Sequence, residues 1–435
     1  MSGGQGPTVT APTASPASVW HQVRSDFLGY SASLGVLGLG SVALLPVLTQ
    51  GLSASQLGAL AVIEGLLVPA STLGMMGLKF AFLYRFARSE PRDSARLLAT
   101  CLGLGLAFSA LSGLALLLAF QACWVAGLFG AEAARPLGHA WLLPALVMAA
   151  TTQGILMTDL RARRSVRETA VVSYAQLATT ILVCWYLVAR RGAGLDGYFG
   201  GQLAGNLLAI AWVGARCWRA GNLKRAQWAE SPALARYGAP LAGALLIRYG
   251  MDTLARVLLA LFVSVEAAGE WLIVGRIVAI FEALVGGPFM MAWGGLMHQA
   301  LQRPDAQAQI SRVAHASLAA GTAFAGILVL LYQPLLVLLS GEPKPDSYAL
   351  FALLLANKVL EALRGPWTVG IQASGATGWA LRNNAIALGA FAVLAPGMVA
   401  LGGAQGLAGA ILLCTILATW LLYREARQWL FIGSR

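Results

Sequence analysis

Ten ionisable side chains lie deep inside long apolar runs of this sequence. Six are basic (Lys79, Arg248, Arg256, Arg276, Lys358 and Arg364) and four are acidic (Glu64, Asp252, Glu282 and Glu361). A charge at the centre of a bilayer costs at least about 2.5–3.5 kcal/mol, so such groups must face one another or a wet cavity. Their spacing is regular. Arg248, Asp252 and Arg256 stand at i, i+4 and i+8, one stripe on a helix, and Asp252 can satisfy one of the two arginines but not both. Lys358, Glu361 and Arg364 repeat the arrangement at i, i+3 and i+6, again with one acid between two bases. Arg276 has no acid one turn away on either side, and Glu282 lies six residues on. The bases outnumber these acids, which points to a cationic chamber for an anionic ligand. Arginine suits phosphate because its planar fork donates two parallel hydrogen bonds and never loses its charge. The competing reading is structural: ion pairs that hold helices together, or long side chains snorkelling from span ends.

The elements that would carry these residues are membrane helices. The chain has 435 residues, 58% hydrophobic and 11% charged, against roughly 25% charged in soluble proteins. The apolar runs predict twelve spans near 27–49, 57–84, 96–120, 138–158, 169–189, 196–215, 237–262, 268–297, 312–333, 348–370, 379–400 and 404–424. Each is long enough for a hydrocarbon core of about 30 Å. The fold class expected is therefore all-α and integral to the membrane, as two six-helix bundles. Residues 27–215 form the first bundle, 216–236 a basic linker and 237–424 the second, with tails at 1–26 and 425–435. The first tail is rich in Ser, Thr, Ala, Pro and Gly and is expected to be disordered. It lacks the pattern of a cleavable signal peptide, so the first span is expected to act as an uncleaved insertion signal.

Basic residues orient the bundles. With the N-terminus in the cytoplasm, twenty of the thirty Lys and Arg residues fall in cytoplasmic segments, among them Arg85, Arg88, Arg92, Arg161, Arg163, Arg164, Arg216 and Arg219. Only Arg135, Arg190, Arg191 and Lys344 fall in the opposite loops. That asymmetry is the positive-inside pattern, with both termini cytoplasmic. It also accounts for the net charge of +12 without a nucleic-acid partner. The two halves repeat weakly: Ser53–Gly58 corresponds to Ser264–Gly269, and Gly154 to Gly365, both at an offset of 211, while Gly194–Gly197 corresponds to Gly406–Gly409. Six spans per half is even, so the repeat is parallel, with its pseudo-two-fold along the membrane normal and a cavity between the bundles.

Other chemistry is sparse. The five cysteines show no CxxC or metal spacing and read as small apolar residues, and the four histidines are dispersed. No cofactor is expected; with no Walker A sequence the energy does not come from a built-in ATPase, which leaves H+, Na+ or downhill removal of product to drive the cycle, and no GxSxG or HExxH sequence is present. Trp271, Trp293, Trp367 and Trp379 could stack on sugars, although interfacial anchoring is the commoner role for tryptophan. The Asn383–Asn384 pair is assigned no chemistry.

The stretch from Tyr237 to Ala300 resembles the polysaccharide-transporter family of the multidrug/oligosaccharidyl-lipid/polysaccharide flippase superfamily. Tyr237, Gly238 and Pro240 match the motif that opens span seven in that family. Arg256 takes the family's arginine position, Gly269 its glycine and Arg276 the basic position seven residues later. Ala255 stands where the family has an acid, and Asp252 lies one turn upstream. With the twelve-span plan and the GLxG before spans six and twelve, the resemblance covers roughly residues 25–425. It implies flipping of an undecaprenyl-pyrophosphate-linked oligosaccharide (an O-antigen, capsule or exopolysaccharide unit) across a bacterial inner membrane by alternating access. The intramembrane bases would hold the pyrophosphate, the tail would remain in membrane lipid, and a polysaccharide polymerase and co-polymerase would be partners. Rival readings are a multidrug or organic-cation antiporter of the same fold, whose cavity should be net acidic, and a membrane glycan polymerase or ligase, which should carry a large catalytic outer loop. A non-transporting scaffold would not need buried charge.

Overall fold

The computed structural model describes residues 39–40, 42–86, 91–127, 137–163, 165–221, 225–290, 292–293, 306–341, 346–367 and 377–432. The expected tail at 1–26, the first part of span one and the last three residues lie outside them. The described residues are almost entirely helical: α1 Leu45–Gly51, α2 Ala54–Met75, α3 Leu78–Phe86, α4 Pro91–Val125, α5 Leu142–Ala162, α6 Val166–Cys184, α7 Gly194–Arg219, α8 Ser231–Phe262, α9 Val265–Phe281, α10 Ala306–Ser340, α11 Ser347–Trp367 and α12 Thr377–Ile432. A π-helical turn extends α6 over Trp185–Arg190, and another extends α9 over Glu282–Gly286.

Among the described residues, α2 to α12 follow expected spans two to twelve with two differences, and α1 covers only the end of span one, most of which lies outside them. Span two is broken into α2 and α3 at Met76 and Gly77, both in left-handed backbone with φ of 41° and 68°. Spans eleven and twelve run together as α12, interrupted only by non-helical backbone at Gly402 and Gly403. Glycine lacks the Cβ that makes such conformations costly, so the short connection needs no loop.

Among the described residues, seven stretches are both long enough and apolar enough to cross a membrane. Helices α7, α8 and α11 are as long but more polar, and part of that polarity, from Gln202 and Asn206 of α7 to Lys358 and Glu361 of α11, lines the central cavity described below. Outward faces show the opposite chemistry. Leu118 on α4, Leu330 and Leu338 on α10, and Val393 and Leu401 on α12 are exposed, as expected where the surrounding solvent is lipid.

Helix pairs α4–α5, α5–α7 and α6–α7 pack the first half, while α8–α12, α10–α11 and α11–α12 pack the second. The halves meet where α2 lies against α8 and α9. Apolar side chains gain little by leaving lipid for protein, so close backbone approach must hold such a seam, and small residues permit it. At one end, Gly58 of α2 meets Gly269 of α9. A Cβ on Gly58 would fall 1.9 Å from the Val265 carbonyl oxygen, and one on Gly269 would fall 3.0 Å from the Gly58 nitrogen. Further along, Gly77 approaches Gly238, whose carbonyl oxygen would lie 2.2 Å from an added Cβ.

The corresponding segments Ser53–Gly58 and Ser264–Gly269 open α2 and α9 in the same manner. Each serine caps its helix: Ser53 Oγ accepts from the Gln56 N–H at 3.2 Å and Ser264 Oγ from the Ala267 N–H at 3.1 Å. The internal repeat thus places equivalent helix starts against each other. Polar contacts also cross the seam. Pro69 has no N–H to give the Gly65 carbonyl, and Thr253 of α8 donates its hydroxyl to that oxygen at 2.7 Å instead. At the opposite flank, Thr49 of α1 donates to the Leu339 carbonyl of α10 at 3.1 Å.

Candidate functional site

A cavity of about 650 Å³ opens between the halves. Helices α2, α5 and α7 supply one wall, and α8, α9, α11 and α12 the other. Four of the bases singled out in the sequence line it, Arg248, Arg256, Arg276 and Lys358, with three of the acids, Glu64, Asp252 and Glu361. The lining is therefore net basic by one charge.

Arg276 is the most enclosed of them, its side chain 8% exposed. Its Nη2 donates to Glu64 Oε1 at 2.7 Å and to Tyr198 Oη at 3.0 Å, and its guanidinium lies 5.6 Å from the Tyr198 ring centre. The Tyr198 hydroxyl in turn donates to Glu64 and accepts from Gln202 Nε2 at 3.0 Å. Glu64 and Tyr198 belong to the first half and Arg276 to the second, so this cluster ties the bundles together across the seam. Sequence spacing could not supply Arg276 with an acid because its partner lies on a helix of the other half.

Arg256 pairs with Asp252 at 2.8 Å, one turn away as the spacing allows, and its Nη1 donates to the Ala61 carbonyl of α2 at 3.2 Å. Gly65 makes room for it: an added Cβ would sit 3.1 Å from Arg256 Cδ. Arg256 Nε is buried with no hydrogen-bond partner among the described residues. The Asp252 side chain is 47% exposed to the cavity, and Trp271 Nε1 donates to it at 3.3 Å.

Arg248 does not compete for Asp252. It turns to Glu361 of α11 at 3.2 Å, and Lys358 reaches the same oxygen at 2.8 Å. One carboxylate thus bridges two bases, and the Arg248 side chain remains 41% exposed. Arginine has five N–H donors, so donors remain for an anion entering beside it.

The remaining predicted residues lie elsewhere. Arg364 leaves Glu361 and donates to Asn384 Oδ1 at 3.2 Å, while Asn384 Nδ2 donates to the Ala244 carbonyl at 3.2 Å. Asn384, assigned no chemistry from sequence, therefore positions this arginine. Arg364 and Glu282 line a smaller side cavity of about 230 Å³ among α8, α9, α11 and α12. Lys79 opens α3 away from the central cavity, with its ammonium 5.0 Å from the Phe80 ring centre. Trp271 and Trp293 are buried, not interfacial; Trp367 packs edge-on to Tyr423, with centroids 5.2 Å apart. Four of the five cysteines are buried, in keeping with an apolar role.

Sequence reading missed the lining supplied by α7. Tyr198, Gln202 and Asn206 stand at i, i+4 and i+8 and all face the cavity. The signal was present: three polar side chains at helical spacing in a span otherwise rich in Gly, Ala and Leu. None of them is charged, so a search for intramembrane charge passes over them.

No protein-family model matches the sequence, and no curated protein matches it. Solved structures do share its fold. An inward-facing multidrug resistance MATE family transporter of the MOP superfamily aligns with a TM-score of 0.71 and 13% identity, over 93% of this chain and 97% of that one. The lipid II flippase MurJ, in an inward closed conformation, aligns with a TM-score of 0.72 and 13% identity, over 92% and 87%. A eukaryotic MATE transporter aligns with a TM-score of 0.67 and 16% identity, over 94% and 97%. The all-helical, two-bundle architecture expected from the sequence is thus the fold of these transporters.

Proposed function

We propose that this protein is a membrane transporter that flips an undecaprenyl-pyrophosphate-linked oligosaccharide across a bacterial inner membrane by alternating access. The fold is compatible with that cycle, since the halves are separate bundles that meet along one seam. The observation that carries the reading is the charge of the cavity at that seam. Arg248, Arg256, Arg276 and Lys358 line it against three acids, which suits a pyrophosphate better than a cation. Arg248, 41% exposed, keeps unengaged donors toward this space, and an arginine fork can clasp a phosphate while Arg256 and Arg276 add positive charge beside it. The polyprenyl tail would stay in lipid, and the glycan would fill the remaining volume. With the basic segments on the cytoplasmic side, the substrate would enter from the inner leaflet. A coupling H+ or Na+ would find Asp252 the most accessible carboxylate of the cavity.

A second reading, export of an organic cation, draws on that same open Asp252 beside Trp271 and on the likeness to MATE transporters. Proteoliposomes separate the two. The proposal expects protein-dependent movement of a labelled undecaprenyl-pyrophosphate oligosaccharide between leaflets and no uptake of ethidium driven by a cation gradient. Ethidium uptake without lipid flipping would replace it with the second reading.

A further inference from the structure

The cavity has a second chemical face that the pyrophosphate reading leaves unused. On α7, Gln202 and Asn206 follow Tyr198 at one-turn intervals, about 6 Å apart along the axis at 1.5 Å per residue. Both amides are held by neighbours. Gln202 commits its Nε2 to Tyr198, which leaves its carbonyl oxygen as an acceptor. Asn206 accepts at Oδ1 from Gln176 Nε2 at 3.0 Å, and Gln176 accepts from Gln153 Nε2 at 3.0 Å. This ladder through α5 and α6 fixes the Asn206 carbonyl and leaves its NH2 group as a donor.

The other wall offers Asn357 of α11. It lines the same cavity and is only 6% exposed, and its Oδ1 is buried with no hydrogen-bond partner among the described residues. A buried carbonyl left unpaired costs roughly 1–3 kcal/mol, which a bound donor would relieve. An anion cannot do so, because it brings acceptors only. A glycosyl group can, and an acetamido sugar does so most fully: its N–H answers an orphan acceptor and its C=O answers an amide donor.

We infer that Gln202 and Asn206 of α7, with Asn357 of α11 across the cavity, form a glycosyl subsite that selects an acetamido sugar next to the pyrophosphate. The inference rests on the flippase reading and adds the chemical class of the first sugar and the residues that read it. Binding energy then divides by chemistry, with charge taken up by the bases of α8 and α9 and sugar identity by the uncharged amides of α7 and α11.

The test measures affinity in nanodiscs for three lipids: undecaprenyl pyrophosphate, the same lipid bearing glucose, and the same lipid bearing N-acetylglucosamine. The wild-type chain should bind the acetamido lipid about three- to tenfold more tightly than the other two, the worth of one or two neutral hydrogen bonds. Asn357→Leu and Asn206→Leu should each shrink that preference and leave affinity for bare undecaprenyl pyrophosphate unchanged, because neither side chain touches the Arg276–Glu64–Tyr198 cluster. Asn357→Leu should also hold or raise the melting temperature of the free protein, because it removes an orphan carbonyl. A merely structural asparagine would lower it. Equal wild-type affinity for all three lipids would overturn the subsite and leave the pyrophosphate reading standing. Failure to bind any of them would reject both. Loss of affinity for all three in both variants, in protein that melts normally, would also reject this division between charge and amide.

Discussion

The Arg276–Glu64–Tyr198 cluster should behave as an energetic clasp between the halves, and its strength can be measured by a double-mutant cycle. Arg276→Met leaves the Glu64 carboxylate with Tyr198 and Gln202 nearby but no countercharge. Breaking a buried ion pair from one side costs about 3–5 kcal/mol. Glu64 keeps the Tyr198 hydrogen bond and is 19% exposed to the cavity, so the lower end, about 3 kcal/mol, applies. Glu64→Gln should cost somewhat less, about 2 kcal/mol, because the amide oxygen still accepts from the guanidinium. The double variant places a neutral apolar chain beside a neutral amide and should fall short of the sum by about 2 kcal/mol. The assay is reversible unfolding in mixed micelles for the four proteins. Spin labels on Ala54 and Glu266, at the starts of α2 and α9, report whether the halves part before they unfold. A loss of 3 kcal/mol is roughly a 150-fold change in an equilibrium, so the distance distribution should broaden visibly in Arg276→Met. Single variants that are each neutral, with a coupling below about 0.5 kcal/mol, would refute the clasp.

Three further outcomes follow from the packing. Gly58→Ala puts a methyl group 1.9 Å from the Val265 carbonyl, so the same spin-label pair should move apart even with the clasp intact; an unchanged distance would mean that this glycine contact does not set the closure. Gly77→Ala combines a φ of 68° with a contact of 2.2 Å to the Gly238 carbonyl and should destabilise the protein by at least about 1–2 kcal/mol, seen as a lower melting temperature. Asp159 is fully buried, and both its carboxylate oxygens accept from Arg163 Nε, at 3.0 and 2.9 Å; Asp159→Asn keeps one acceptor for an arginine that is 25% exposed and should cost about 1–2 kcal/mol of stability while leaving affinity for undecaprenyl pyrophosphate unchanged, because the pair lies outside the cavity.

Helix positions were legible because a lipid solvent imposes one rule on every span, and a run of apolar residues with basic flanks satisfies it visibly. The repeat at Ser53–Gly58 and Ser264–Gly269 was legible for a related reason: capping serines and contact glycines admit few substitutes. Pairing was only partly readable. Asp252 with Arg256 and Lys358 with Glu361 follow from helical spacing, whereas Arg248 with Glu361 and Arg276 with Glu64 join residues more than a hundred positions apart. Local periodicity contains no information about such contacts. Arg364 was grouped with Glu361 on spacing alone, and Asn384 draws it away. The amides of α7 escaped notice because a neutral amide in a membrane helix is not costly enough to stand out by composition.

The central claim is that arginines of the second half hold a pyrophosphate in the seam cavity. Affinity for undecaprenyl pyrophosphate in nanodiscs tests it most directly, measured for the wild-type chain and for Arg248→Ala, Arg256→Ala and Arg276→Ala, each with confirmed folding. Each lost charge-assisted contact should weaken binding by about 1.5–3 kcal/mol, or roughly 10- to 150-fold, with leaflet-to-leaflet flux falling in step. Wild-type affinity and flux in all three variants would contradict the account.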